Sequence, residues 1–167
     1  NINYMNFLNF DFTTDNPNYL HNIKSKIISE QTKIYDQVAS FSGDRNYNNT
    51  ILPLESVEDY CAIQAKCIEY LQNFHTSDEI RTCCTEIETE LSKHGVELYM
   101  RKDMFDAFNN YYDNFYQTQK SYLTFEQNKS IDDTYISYKR MGMYLPQNQR
   151  DEIEEIKKKI SELSTNF

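Results

Sequence analysis

This sequence predicts an all-α fold, a bundle of about five antiparallel helices with an extended N-terminal arm. Three observations carry the prediction. The 167 residues include only three glycines and three prolines, too few turn formers for a many-stranded β protein. Apolar side chains recur every three or four residues through most of the chain, the spacing that gathers them on one side of a helix. Both Thr76-Ser77-Asp78-Glu79 and Thr124-Phe125-Glu126-Gln127 match the capping box, in which a hydroxyl accepts from an orphan backbone N–H and the residue three positions on reaches back to the cap. The length suffices for one domain with its own core, so the chain divides into an arm, residues 1–15, and a helical domain, residues 16–167.

The arm is rich in asparagine and carries Phe7, Phe10 and Phe12, an alternation suited to an extended segment that lays aromatic rings on a surface. Asn16-Pro17 then supplies a cap followed by proline at the first helical position, where its missing N–H does no harm. Leu20, Ile23, Ile27, Ile34, Val38 and Phe41 continue at helical spacing towards an end near Ser42-Gly43, where glycine can take the left-handed cap. The segment from Asp44 to Pro53 is polar and reads as a loop. From Leu54 to about Phe74 a second helix carries two apolar stripes, Val57, Cys61, Ile68 and Leu71 on one side and Tyr60, Ile63, Cys67, Tyr70 and Phe74 on the other. Two stripes predict cover on two sides and a place near the middle of the bundle.

The longest regular pattern runs from Thr76 to about Gln119. One row reads Ile80, Ile87, His94, Arg101, Phe108, Phe115, and the row four residues later reads Cys84, Leu91, Leu98, Phe105, Tyr112. The register passes Gly95 in phase, although glycine costs roughly 1 kcal/mol relative to alanine inside a helix. The prediction is one long helix near residues 76–119, about 60 Å in length at ~1.5 Å per residue. Ile131, Tyr135 and Tyr138 form the inner face of a helix capped at Thr124 and ended by Gly142. Leu145-Pro146 opens a last helix with Ile153, Ile156, Ile160, Leu163 and Phe167 inward. On its outer face Glu154 with Lys158 and Glu155 with Lys159 stand in the favoured i,i+4 order, each pair contributing about 0.3–0.5 kcal/mol. The register is still in phase at Phe167 and no methionine precedes Asn1, so a longer natural polypeptide is expected in both directions.

The formal net charge of −9, with acidic residues in every segment, leaves no basic stripe to neutralise phosphates, and no nucleic-acid partner is expected. No run reaches the ~18–20 apolar residues that cross a bilayer, and Asn1-Ile2-Asn3-Tyr4 has neither region of a signal peptide. The expectations are therefore no membrane partner and a cytoplasmic location. Cys61, Cys67, Cys83 and Cys84 show no C-x-x-C spacing, and the last two point about 100 degrees apart on a helix. They read as buried thiols in a reducing compartment. Asn48-Asn49-Thr50 and Asn128-Lys129-Ser130 match the glycosylation pattern but lack a secretory context.

The residues that could carry chemistry are few. His21, His75 and His94 do not stand in H-E-x-x-H, where two histidines bind zinc and the glutamate serves as base. His94, on an inward row, reads as a hydrogen-bonded core histidine. The Asp132-Asp133 and Glu154-Glu155 pairs read as solvated faces, and Tyr111-Tyr112 with Tyr116 reads as core and rim packing before peptide contact. No phosphate-binding glycine loop or G-x-S-x-G occurs. From the residues alone, no catalytic, cofactor-binding or metal-ligating position is assigned.

The order of several short stretches nevertheless resembles a known family. Glu30-Gln31-Thr32-Lys33 with Ile34-Tyr35-Asp36-Gln37-Val38 is followed by Ser56-Val57-Glu58-Asp59, Asn73-Phe74-His75 and Asp78-Glu79-Ile80-Arg81. Tyr99-Met100-Arg101-Lys102-Asp103-Met104-Phe105, Lys139-Arg140-Met141-Gly142, Tyr144-Leu145-Pro146 and the run from Ile153 to Leu163 come next. In this order and spacing they resemble the N-terminal region of the thimet oligopeptidase and neurolysin family of zinc metallopeptidases. The resemblance implies a helical part of a larger, mostly helical enzyme, cut off at residue 167, that forms a wall of a deep channel admitting short peptides. It also implies zinc in the parent protein, held by an H-E-x-x-H helix and a glutamate much later in the chain, so that none of the catalytic or metal positions falls here. The implied partners are the C-terminal catalytic half of the same polypeptide and short peptide substrates. The alternative is a helical protein-interaction module without enzymatic activity.

Overall fold

The computed structural model describes residues 10–165, and these residues form an all-α architecture with no strand among them. The elements are α1 (Pro17–Ser40), α2 (Tyr47–Thr50), α3 (Leu52–Phe74), α4 (Asp78–Tyr99), α5 (Lys102–Tyr111), a π-helical turn (Tyr112–Tyr116), α6 (Gln117–Gln119), a 3-10 turn (Lys120–Tyr122), α7 (Phe125–Arg140) and α8 (Gln147–Thr165). Helix α3 packs between α1 and α4, and α4 also meets α1 and α8. Three apolar clusters fill the interior. One joins Phe10, Leu20, Ile68, Leu71 and Ile87, a second joins Ile27, Tyr35, Val38, Val57 and Leu98, and a third joins Met100, Phe105, Phe108, Tyr111, Tyr116, Ile131 and Tyr138.

Local caps account for most of the boundaries. Asn16 Oδ1 accepts from the Asn18 N–H at 3.0 Å ahead of Pro17. At Thr124 the capping box closes both ways, Gln127 N–H to Thr124 Oγ1 at 3.2 Å and Thr124 N–H to Gln127 Oε1 at 2.9 Å. Gly142, with φ of +77 degrees, follows α7 in the left-handed conformation that glycine tolerates best.

Several boundaries differ from the sequence expectation. Helix α1 ends at Ser40 with Phe41 as its cap, and Gly43 is not left-handed. The buried Arg45 takes over that end: Nη1 donates to the Val38 carbonyl at 3.1 Å and Nη2 to the Phe41 carbonyl at 2.8 Å. The expected loop at 44–53 contains the helical turn α2, closed by a capping box between Asn46 and Asn49. At the start of α4 the capping oxygen belongs to Ser77 rather than Thr76. On α3 the stripe Val57, Cys61, Ile68, Leu71 is buried, whereas Ile63, Tyr70 and Phe74 are exposed. That second stripe serves instead as a landing place for the arm, where the Phe12 ring meets Tyr70 edge-on at 5.5 Å while Phe10 is buried near Tyr19. Phe7 lies outside the described residues.

The long helix near residues 76–119 is the main correction. Backbone helicity stops at Tyr99, Arg101 is extended (ψ 120 degrees), and α5 starts afresh at Lys102. The Arg101 guanidinium holds the break open. Its Nη1 lies 2.6 Å from Asp36 of α1, while Nε and Nη2 reach the two oxygens of Asp103 at 3.0 and 2.7 Å. Asp103 in turn accepts from the Met104 N–H at 2.9 Å. The last helix also departs from expectation. Ile153 packs on the core, but Ile156, Ile160 and Leu163 are 52%, 57% and 63% exposed. Charged side chains turn the other flank of α8 towards α4: Lys158 bridges Glu97 at 3.0 Å and Glu154 at 2.9 Å, and Lys93 meets Glu162 at 3.1 Å. Phe167 is outside the described residues.

These packings set the signs of three substitutions in urea unfolding. A Cβ at Gly95, inside α4, would meet nothing within 4 Å, so Gly95→Ala should stabilise by about 0.5–1 kcal/mol. At Gly142 a Cβ would stand 2.8 Å from Ile153 Cδ1, and Gly142→Ala should destabilise by about 1–2 kcal/mol from its backbone conformation alone. Leu98→Ala, at a side chain only 4% exposed, should cost about 2–5 kcal/mol. An unchanged midpoint for Leu98→Ala would remove Leu98 from the core.

Candidate functional site

The break after Tyr99 leaves that side chain at the edge of a groove between the first half of α3 and the length of α7. Ser130, Thr134 and Tyr138 recur every four residues on α7 and so share one face. They line two adjoining hollows of about 510 and 440 Å³, both of which also include Tyr99. Glu55, Glu58 and Asp59 of α3 and Tyr35 of α1 line the second hollow, and Phe125 and Met141 the first.

Each polar group there has a definable state. Glu55 is fixed by two donors, the Tyr47 hydroxyl and Ser130 Oγ. Glu58 accepts from the Tyr35 hydroxyl at 2.9 Å and from Gln31 Nε2 at 3.1 Å. Burial raises the Glu58 pKa against the opposing effect of these hydrogen bonds. Burial likewise pushes Tyr35, Tyr99 and Tyr138 upward, with the Glu58 charge adding to the effect on Tyr35 and Tyr99. All three phenols therefore keep their protons at neutral pH and remain available as donors. Tyr138 is only 6% exposed, and the buried side-chain oxygens and nitrogens without a partner among the described residues belong instead to His94, Tyr111 and Asn128. On α7 the Lys129 ammonium is engaged by Asp133 at 2.7 Å, which leaves the carboxylates of α3 to set the sign of the groove.

The residues singled out in the sequence lie elsewhere. Tyr111 and Tyr116 are fully buried and Tyr112 stacks on Tyr135 at 4.2 Å, which is core packing. His94 is not the hydrogen-bonded core histidine expected: its Nε2 is buried without a partner, and burial lowers its pKa. His21 Nε2 lies 3.6 Å from Cys83 Sγ, and His75 Nδ1 accepts from the Ser77 N–H at 3.1 Å. The four cysteines are free thiols, and burial pushes Cys61 to about 12 and Cys84 to about 11, so neither is an activated nucleophile. Asp132 accepts from the Tyr116 hydroxyl at 3.3 Å, and Glu154 pairs with Lys158 as the spacing predicts. The Asn128 amide donates to the carbonyls of Lys120, Leu123 and Thr124 and so closes the turn before α7. Among the described residues no group of three or more His, Cys, Asp or Glu side chains could hold a metal ion, and no helix among them is long and apolar enough to cross a membrane.

The groove escaped the sequence reading because α1, α3, α4 and α7 each contribute to it. Only the Ser130, Thr134, Tyr138 repeat was there to find.

Comparison with known proteins shows what this chain is similar to. No family model matches the chain. It is 26% identical over 123 residues to the thimet-like oligopeptidase of Dictyostelium discoideum, covering 74% of this chain and 18% of the relative. It is 26% identical over 159 residues to saccharolysin of Saccharomyces cerevisiae, covering 95% and 22%. With the probable thimet oligopeptidase of Arabidopsis thaliana it shares 24% over 146 residues, covering 87% and 20%. The chain thus spans about a fifth of the length of the curated relatives it matches. The likeness to thimet-type oligopeptidases read from the order of its short motifs is upheld over most of the chain.

The state of Glu58 gives a pH test. With its native pKa above the ordinary 4.5, the folded protein binds that proton more readily than the unfolded chain. The associated stability is complete below the ordinary value and drains away as pH rises through the native pKa. Glu58→Gln keeps an acceptor for Tyr35 and removes the titration. The urea stability of the variant relative to the wild type should therefore increase from about pH 4 to about pH 7, whereas a constant difference would mean that Glu58 titrates normally.

Proposed function

We propose that this chain is the N-terminal helical region of a zinc-dependent oligopeptidase, a metalloendopeptidase acting on short peptides, and that it forms a wall of the substrate channel without being catalytic by itself. The observation that carries the reading is the similarity to three oligopeptidases over 74–95% of the chain. The zinc ligands then belong to polypeptide outside this sequence, and the principal partner is the catalytic half of the same protein. The exposed row Ile156, Ile160, Leu163 on α8 supports that partnership, because a contiguous apolar strip is what a neighbouring domain covers. A cytoplasmic setting agrees with the four free thiols.

The second reading is an interaction module without an enzyme, and the lack of a metal-ligand cluster among the described residues is common to both readings. The natural reading frame separates the two. The oligopeptidase reading expects an H-E-x-x-H helix downstream, and a full-length protein that binds one zinc and cleaves a quenched-fluorescence peptide in a chelator-sensitive way. The 167-residue chain alone should bind no stoichiometric zinc and cleave nothing. A reading frame without the motif would overturn the first reading in favour of the second.

A further inference from the structure

We propose that the outer part of α8, residues 154–165, is a releasable strap, pinned to the body at its first turns and held against α4 beyond them by ion pairs that salt screens. The inference concerns this chain alone and does not need the oligopeptidase reading.

The pin comes first. The chain leaves α7 through a turn in which Gly142 has a φ of +77 degrees and the Leu145 N–H donates to the Gly142 carbonyl at 2.9 Å. Met143 is buried, and the buried Arg150 ties α8 to it: Nη1 donates to the Met143 carbonyl at 3.3 Å and Nη2 to Gln147 Oε1. Ile153 then packs on the cluster that contains Met143.

Beyond Ile153 the attachment changes in kind. No residue from 154 to 164 is buried, whereas α3 buries Val57, Cys61, Ile68 and Leu71, and α4 buries Ile80, Cys84, Ile87 and Leu98. Ile156, Ile160 and Leu163 are each more than half exposed, so the hydrophobic effect does little to hold this part of the helix. The ion pairs across the seam are Lys158 with Glu97 at 3.0 Å and Lys93 with Glu162 at 3.1 Å, and both carboxylates are more than half exposed. Pairs of that exposure contribute little and weaken further in salt. A hollow of about 570 Å³ lies along the same seam, lined by Lys93 of α4 and by Ile156, Lys158 and Glu162 of α8, so side-chain packing does not close it.

Two positions of α8 follow, with ionic strength setting their balance. A segment shorter than ~12–15 residues is marginal as an isolated helix in water, so the released strap also frays and its amides open to solvent. Whatever engages the row Ile156, Ile160, Leu163 draws α8 off α4 without breaking an apolar core, and that is the property expected of a two-state element.

Hydrogen exchange read by mass spectrometry on the 167-residue chain provides the test, at fixed pH and temperature in about 0.02 M and about 0.5 M potassium chloride, which shortens the screening length from ~20 Å to ~4 Å. Amides of the strap should exchange at least about threefold faster at the higher salt, while those of α3 and the middle of α4 stay within about twofold. Lys93→Met leaves the sequence of α8 intact and should speed strap exchange at low salt by about two- to fivefold, with a smaller response to added salt. Ile160→Gln, of comparable helix propensity, should stay within about twofold of the parent. A strap indifferent to salt, an equal acceleration of α3 and α4, no effect of Lys93→Met, or an effect of Ile160→Gln as large as that of Lys93→Met would each overturn the proposal.

Discussion

The corner at Met100 and Arg101 is the constraint on which the rest of the molecule depends. A single guanidinium joins a carboxylate of α1, Asp36, to the first turn of α5 through Asp103. Both carboxylates are more than half exposed, so the pairs contribute little free energy in themselves, on the order of 1 kcal/mol or less each. Their effect is geometric. Three successive side chains are delivered to three environments: Leu98 to the cluster with Tyr35 and Val57, Met100 to the cluster with Phe105 and Phe108, and Tyr99 to the rim of the groove. The corner thereby couples the core to the rim of the groove.

The groove takes its lining from several packed helices. Its floor belongs to the third cluster, through Tyr138, and its wall is the carboxylate edge of α3. Glu55 ties the wall to the floor by accepting from Ser130 of α7 and Tyr47 of α2. Helix α8 plays the opposite part. It clamps α4 through Lys158 and Lys93 and turns its isoleucine row outward, so its uncovered face is a candidate for contact with another domain, while the groove is a candidate for a ligand.

How much of this was legible depended on whether the cause was local. The cap at Asn16-Pro17, the capping box at Thr124 and the turn at Gly142 were readable because each is settled within a few residues. The buried stripe of α3 was readable because burial leaves a period in the sequence. The corner was not, because Arg101 stands on a heptad row and the apolar register resumes in phase beyond it. Only the Arg101-x-Asp103 pairing hinted at it, and that depends on Asp36 some 65 residues earlier. The end of α1 was misjudged for a related reason: a buried arginine four residues on replaced the expected glycine cap. On α8 the periodicity correctly marked an apolar face, but a period does not say which face is covered. The groove drew on four helices, and no spacing along one chain encodes that meeting.

The central claim, that a corner and not a continuous helix organises residues 78–111, is open to one direct distance. Spin labels at Glu86 and Asn110, both exposed, would lie about 36 Å apart along an unbroken helix. Pulsed electron-electron resonance should return a distribution centred well short of that value. A narrow distribution at the straight-helix distance would contradict the corner and, with it, the placement of Tyr99 in the groove.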